Sequence, residues 1–210
     1  MRKIIPGLLV LWLLTMSTAG NTQAQTLSSE AEIHLLTANP GEELYSVFGH
    51  SALWVNDPLT GTNEVYNWGV FNFEDPNFYM KFLQGRLLYM LAVTSLEGFL
   101  PEYQRGGRGV TSQRLHLEQD EIRRIYDFLQ YNRRPENTYY LYDFFYDNCA
   151  TRIRDLIDEL LVVDWGDDPY AWASRSFRDM LQPYAGRMPW AAFGIDIVLG
   201  MPADKVASPW

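Results

Sequence analysis

Asp147-Asn148-Cys149-Ala150-Thr151-Arg152-Ile153-Arg154-Asp155-Leu156-Ile157-Asp158-Glu159-Leu160-Leu161 decides the reading of this chain. Ile153, Leu156, Ile157, Leu160 and Leu161 recur at helical spacing from Cys149, so the stretch predicts an amphipathic helix. Cys149 stands at the N-terminal end of its buried face. A helix N-terminus carries unpaired N–H groups and the positive end of the dipole, and both favour a thiolate over a thiol. Cys149 is also the only cysteine of the chain, so it has no internal disulfide partner. It is either inert packing or a reactive thiol.

A thiol nucleophile needs a base, and the base needs a group to orient it. The chain has three histidines. His34 and His116 fall in ordinary strand patterns and read as structural. His50 lies in Gly49-His50-Ser51-Ala52-Leu53-Trp54-Val55, where Gly49 permits close approach of another group and Ser51 and Ala52 leave room around the imidazole. On an alternating strand His50, Ala52 and Trp54 share one face; a structural core histidine is the alternative reading. Asn67, in Val65-Tyr66-Asn67-Trp68-Gly69 on the next predicted strand, is the expected orienting group. Its amide oxygen would accept from Nδ1–H and fix the tautomer; a sheet-edge polar role is the alternative. Asp57 is a weaker candidate because it reads as a turn residue. Asn148 reads as a helix cap or as support for an oxyanion, with Ser51 and the amides at Cys149 beside it. Arg152, one turn after Cys149, is the best placed of Arg86, Arg105, Arg108 and Arg152 to bind a phosphate or carboxylate, although solvated arginines are the default.

The rest of the chain bounds the class. Residues 1–24 read as a secretory signal: Arg2 and Lys3, an apolar stretch from Ile4 to Met16, and small residues before a cut after Ala24. An uncleaved N-terminal anchor is the alternative. Removing residues 1–24 moves the formal charge from -9 to -11, which argues against nucleic acid and against electrostatic docking on anionic lipid. Residues 25–31 read as a short polar leader and 32–210 as one domain. Strands are expected over 32–37, 49–55, 64–73, 86–94 and 113–117, and helices over 118–132, from Cys149 onward, and near 174–181. The remainder after Asp164 reads as irregular. The fold class is therefore α+β, an antiparallel sheet packed against the Cys-bearing helix. The aromatic residues of 66–89 read mostly as core, with a groove for an acyl chain or a membrane-facing rim as the alternative. No paired-cysteine motif, His-Glu-x-x-His, phosphate loop or Gly-x-Ser-x-Gly occurs, so neither a metal nor another cofactor is expected. Gly106-Gly107-Arg108-Gly109 reads as a flexible loop.

Several blocks in order carry a family resemblance. These are Leu35-Leu36-Thr37-x-x-Pro40-Gly41-x-x-Leu44-Tyr45-x-x-Phe48-Gly49-His50-Ser51-Ala52, then Val65-Tyr66-Asn67-x-Gly69-x-Phe71-x-Phe73, then Pro76-Asn77-Phe78-Tyr79-x-Lys81-Phe82-x-x-Gly85-Arg86-Leu87, and finally Tyr142-Asp143-Phe144-Phe145-x-Asp147-Asn148-Cys149-Ala150-Thr151-Arg152. The chain resembles the Lnb N-terminal periplasmic domain family over roughly residues 32–205. The resemblance implies a circularly permuted papain-like fold of the NlpC type, in which the histidine strand precedes the cysteine helix. Lecithin:retinol acyltransferase is similar in that order and in its Asn-Cys dipeptide. The resemblance further implies a periplasmic acyltransferase acting in lipoprotein N-acylation, with Cys149 as nucleophile and His50 as base. Its partners would be a lipoprotein N-terminus, a phospholipid acyl donor and a membrane surface. A cysteine peptidase or amidase acting on cell-wall peptide, and a non-catalytic envelope-binding module, are the alternative readings of the same residues. Longer family members continue beyond this point, some with membrane segments, and the sequence leaves open both a complete chain and a fragment of such a protein.

Overall fold

The computed structural model describes residues 26–207 except 44, 72–73, 75, 78–80, 82–85, 164–174 and 187. Strands β1 (Glu32–Ala38), β2 (His50–Asp57), β3 (Thr62–Phe71), β4 (Leu88–Thr94), β5 (Val110–Arg114) and β6 (Tyr139–Leu141) form one antiparallel sheet in the order β5-β1-β2-β3-β4-β6. The helices are α1 (Leu96–Arg105), α2 (Gln119–Asn132), α3 (Cys149–Leu160), α4 (Phe177–Ala185) and α5 (Pro189–Leu199), followed by a 3₁₀ turn over Met201–Asp204.

Alternation along the strands builds a two-faced sheet. Ile33, Leu53, Val55, Tyr66, Trp68 and Leu91 are buried with Ile122, Ile125, Leu129, Ile153 and Leu156 of α2 and α3. Leu36, Ala38, Ala52 and Val65 face the other way and are buried with Phe99 and Tyr103 of α1. A bond from Trp68 Nε1 to Asn132 Oδ1 (2.9 Å) satisfies the only polar atom of that buried indole and ties β3 to α2. The expected architecture, an antiparallel sheet with the Cys149 helix packed on it, is what the molecule has.

Local differences have physical causes. Strand β5 runs over Val110–Arg114 rather than 113–117; beyond it Leu115 keeps one backbone bond to Ile33 (2.9 Å) and, with Leu117, packs against the core. Gly106 and Gly107 form the tight connection from α1 to this strand. Two helices lie where none is expected: α1 contains Gly98 and Pro101, and α5 is apolar on all sides. The short helix expected near 174–181 runs over Phe177–Ala185. Positions 72–73 of the expected third strand, and most of the aromatic block 72–85, lie outside the described residues. Within the described part Tyr66, Trp68 and Tyr89 are core.

Residues 26–31 are docked on the sheet. Leu27 and Ala31 are buried in the α2/α3-facing core, and Ser28 binds Asp57 through its amide and hydroxyl, both at 2.7 Å. Asp57 also accepts from the amides of Leu59 and Thr60, which makes it the turn residue its sequence suggests. Burial alone would raise this carboxyl, but the Ser28, Thr60 and Leu59 hydrogen bonds outweigh that and hold it at about 2. A depressed carboxylate contributes stability that is present above its unfolded value and lost as pH falls toward the folded one. Asp57→Ala is therefore expected to destabilise the domain by about 2 kcal/mol at pH 7, because it strands several donors. The difference from wild type should shrink between pH 4 and pH 2, as read by urea denaturation.

Candidate active site

The site begins with the loop before α3. Asp143 and Asp147 exchange backbone hydrogen bonds (3.0 and 3.1 Å), and Asp143 Oδ1 accepts from the amides of Phe145 and Tyr146. Asn148 then caps the helix: its Oδ1 accepts from Ala150 (2.9 Å) and Thr151 (3.0 Å), while its Nδ2 donates to the Phe144 carbonyl. The Asn148 side chain is a support: its oxygen is taken by the cap and one of its N–H groups by the Phe144 carbonyl. Arg152 makes a two-pronged bond to Asp147 (2.6 and 2.8 Å) and lies over the Tyr140 ring at 3.6 Å. Of its expected roles the geometry displays the supporting one: Nε and Nη2 hold Asp147 and so brace the loop that presents Cys149.

His50 enters from the first residue of β2. Gly49, just before it, has φ +80°, and a Cβ there would stand 2.9 Å from the Ala38 carbonyl oxygen. The imidazole stacks on Tyr103 of α1, with ring centroids 6.3 Å apart and planes 17° apart. Its Nε2 donates to Asn67 Oδ1 at 2.6 Å. Asn67 is thus the orienting group expected, but at Nε2 instead of Nδ1. The orientation follows from strand geometry. His50 and Asn67 both lie on the α1-facing side of neighbouring strands, and their contact leaves Nδ1 on the side where Cys149 Cβ also borders Gly69, close enough for thiol and imidazole to shift each other's titration.

The meeting of His50 and Cys149 depends on Gly69, a residue with no reactive group to single it out in the sequence. β3 is irregular between Trp68 and Val70 in its pairing with β4, so Gly69 is a bulge. It has φ +131°, and a Cβ on it would lie 3.0 Å from His50 Cε1, 3.7 Å from Nδ1 and 3.9 Å from Cys149 Cβ. The space left by the absent side chain is bordered by both His50 and Cys149. Its only sequence signal is a glycine two residues after Asn67 in a strand pattern, which marks a bulge or close approach. Phe48 and Phe144 close the other flank with an edge-to-face contact at 5.1 Å.

Electrostatics favours a charged pair. Burial pushes the Cys149 thiol up, but the hydrogen bond and charge of His50, with the backbone N–H groups of Ser51 and Ala150, bring it below the ordinary thiol value. Burial likewise pushes His50 down. The hydrogen bond and charge of Cys149 and the bond to Asn67 outweigh burial and the opposing Arg108 charge, so the imidazole is raised. The two opposite shifts move the pair in the direction of thiolate and imidazolium. Ser51 contributes through its backbone amide. The other histidines stand apart: His34 is held by Glu32 and Ser112 in the sheet, and His116 lines a separate groove between the β5–α2 connection and the end of α3. Among the described residues no three His, Cys, Asp or Glu side chains gather as a metal site.

The sequence profile of the Lnb N-terminal periplasmic domain matches residues 19–173. The match takes in the whole sheet and the Cys149 helix and ends before α4. No curated protein and no solved structure matches the chain.

Proposed function

Starting from the fact that the chain belongs to the Lnb N-terminal periplasmic domain family, we propose that it is a periplasmic thiol acyltransferase with a permuted papain-like fold, acting in lipoprotein N-acylation. The observation that carries this reading is the line Cys149–His50–Asn67, assembled across the gap at Gly69.

In the first half-reaction the Cys149 thiolate attacks the ester carbonyl of a phospholipid. The C–S bond forms, the C–O bond breaks, and the His50 imidazolium gives its proton to the leaving alcohol. Asn67 keeps the ring in the orientation that presents Nδ1 to the reacting atoms. The amide of Cys149 itself is not engaged by the Asn148 cap, which binds Ala150 and Thr151. As a first-turn helix amide it is a donor for the developing oxyanion. In the second half-reaction the free α-amine of a lipoprotein's N-terminal cysteine attacks the thioester. The C–N bond forms, the C–S bond breaks, His50 takes the proton from nitrogen, and Cys149 leaves as the thiolate, which restores the starting pair. An α-amine with pKa near 8 is partly neutral at neutral pH and is a competent acceptor, and exchanging a thioester for an amide is downhill.

Intact-mass measurement after incubation with phospholipid tests the reading. Wild-type protein should gain one fatty-acyl mass on Cys149, which is lost again on adding a peptide bearing an N-terminal diacylglyceryl-cysteine, while Cys149→Ala gains none. No adduct with any phospholipid would sink the acyl-transfer reading. Release of peptide fragments from cell wall by wild type but not by Cys149→Ala would replace it with the amidase.

A further inference from the structure

Helix α5 is apolar nearly all round, yet none of its described side chains is buried. Trp190, Phe193 and Ile197 are 87%, 58% and 64% exposed, and Met201 follows at 84%. Residues 190, 193 and 197 fall on one stripe of a helix. The only charged residue of α5, Asp196, is drawn back by Arg178 of α4, which also binds Asp204 (2.7 Å) and the Gly200 carbonyl (2.9 Å). The exposed stripe therefore carries no charge.

We infer that this stripe is a membrane-docking face, with α5 lying flat in the interfacial layer of a phospholipid bilayer. A helix that is apolar on every side is normally covered. Eleven residues at about 1.5 Å each cannot cross a hydrocarbon core of about 30 Å, so a bilayer can cover α5 only from one side. Trp190 at the helix start and Tyr184, 44% exposed, just before it are residue types that settle at the headgroup level. The net charge of -9 gives an anionic surface nothing to attract, so adsorption has to come from apolar burial.

The choice of lipid over a protein partner rests on the acyl-donor reading above. The α4/α5 pair is also fastened to the loop that presents Cys149. Phe177 packs on Phe145 at 4.4 Å and on Tyr146 at 5.6 Å, and Tyr184 lies 6.0 Å from Phe48. A docked α5 therefore holds the Cys149 loop close to the surface in which diacyl substrates reside.

The test is flotation with phosphatidylcholine vesicles, using the full chain purified from periplasmic extract as wild type, as Phe193→Asp/Ile197→Asp and as Trp190→Arg. Trp190 is exposed enough that its replacement leaves packing intact, and it covers the case in which the double variant fails to fold. Wild type should float, equally at low and high salt and no better with anionic lipid. Each variant should lower the partition coefficient roughly tenfold or more. Cys149→Ala should float like wild type, so a failed acylation assay with intact flotation removes the enzyme reading alone. Absence of wild-type binding would overturn the inference. So would a self-association in sedimentation velocity that Trp190→Arg abolishes, since the stripe would then be an interface between two copies.

Discussion

Replacing His50 by alanine is expected to slow alkylation of Cys149 by iodoacetamide at pH 7 roughly tenfold or more, and to reduce acyl transfer by about 10²–10⁴. Two functions are lost at once. The imidazole supplies most of what lowers the Cys149 thiol against the cost of its burial, and an ordinary thiol is only a few per cent ionised at pH 7. In the proposed reaction it is also the proton donor to the leaving alcohol. In wild type, reactivity rises as pH passes the lowered Cys149 value. Acyl transfer falls again as pH passes the raised His50 value, where the proton needed by the leaving group is gone. The profile is a bell whose limbs belong to the coupled pair. In His50→Ala the rising limb of alkylation should move to higher pH and the falling limb of transfer should vanish. An alkylation profile identical in the two proteins would show that His50 does not act on the thiol.

The sheet and the Cys149 helix were legible because their signals are local. Alternating apolar residues mark β1 to β4, and the 3.6 period of Ile153, Leu156 and Ile157 marks α3. Cys149, His50 and Asn67 were legible by residue type and chain order. Their geometry was not, since the choice of Nε2 for Asn67 depends on which face of two paired strands each side chain occupies, and on a bulge. The partner of Arg152 was hidden for a related reason. Its partner Asp147 is five residues back, and the Asp143–Asp147 turn brings it within reach. Helix α1 was hidden by Gly98 and Pro101, which count against a helix locally, while burial of Phe99 and Tyr103 under the sheet overrides them. Helix α5 lacks the polar face that gives a helix its period, so its pattern is silent on secondary structure. The same feature marks it as a surface in need of a cover.

Gly69→Ala should separate positioning from chemistry, because it leaves Cys149, His50 and Asn67 all in place. The new methyl would stand 3.0 Å from His50 Cε1 at a residue whose φ is +131°. The imidazole has little freedom to yield, being bonded to Asn67 at 2.6 Å and stacked on Tyr103. Either the ring is pushed aside or the bulge is reshaped, and in both cases the imidazole is displaced relative to Cys149. A misplacement approaching 1 Å costs about 10²-fold in rate, so a loss of roughly that order in acyl transfer is expected. The rising limb of alkylation should shift toward ordinary thiol behaviour, as in His50→Ala. Backbone strain alone contributes about 1–3 kcal/mol of destabilisation, and Gly61→Ala controls for it: Gly61 has φ +76°, and a Cβ there would meet nothing within 4 Å. That variant should lose stability without any change in the reactivity of Cys149. If Gly69→Ala also left reactivity unchanged while losing stability, the gap at residue 69 would be a feature of sheet folding, and the Cys149–His50 contact would not depend on it.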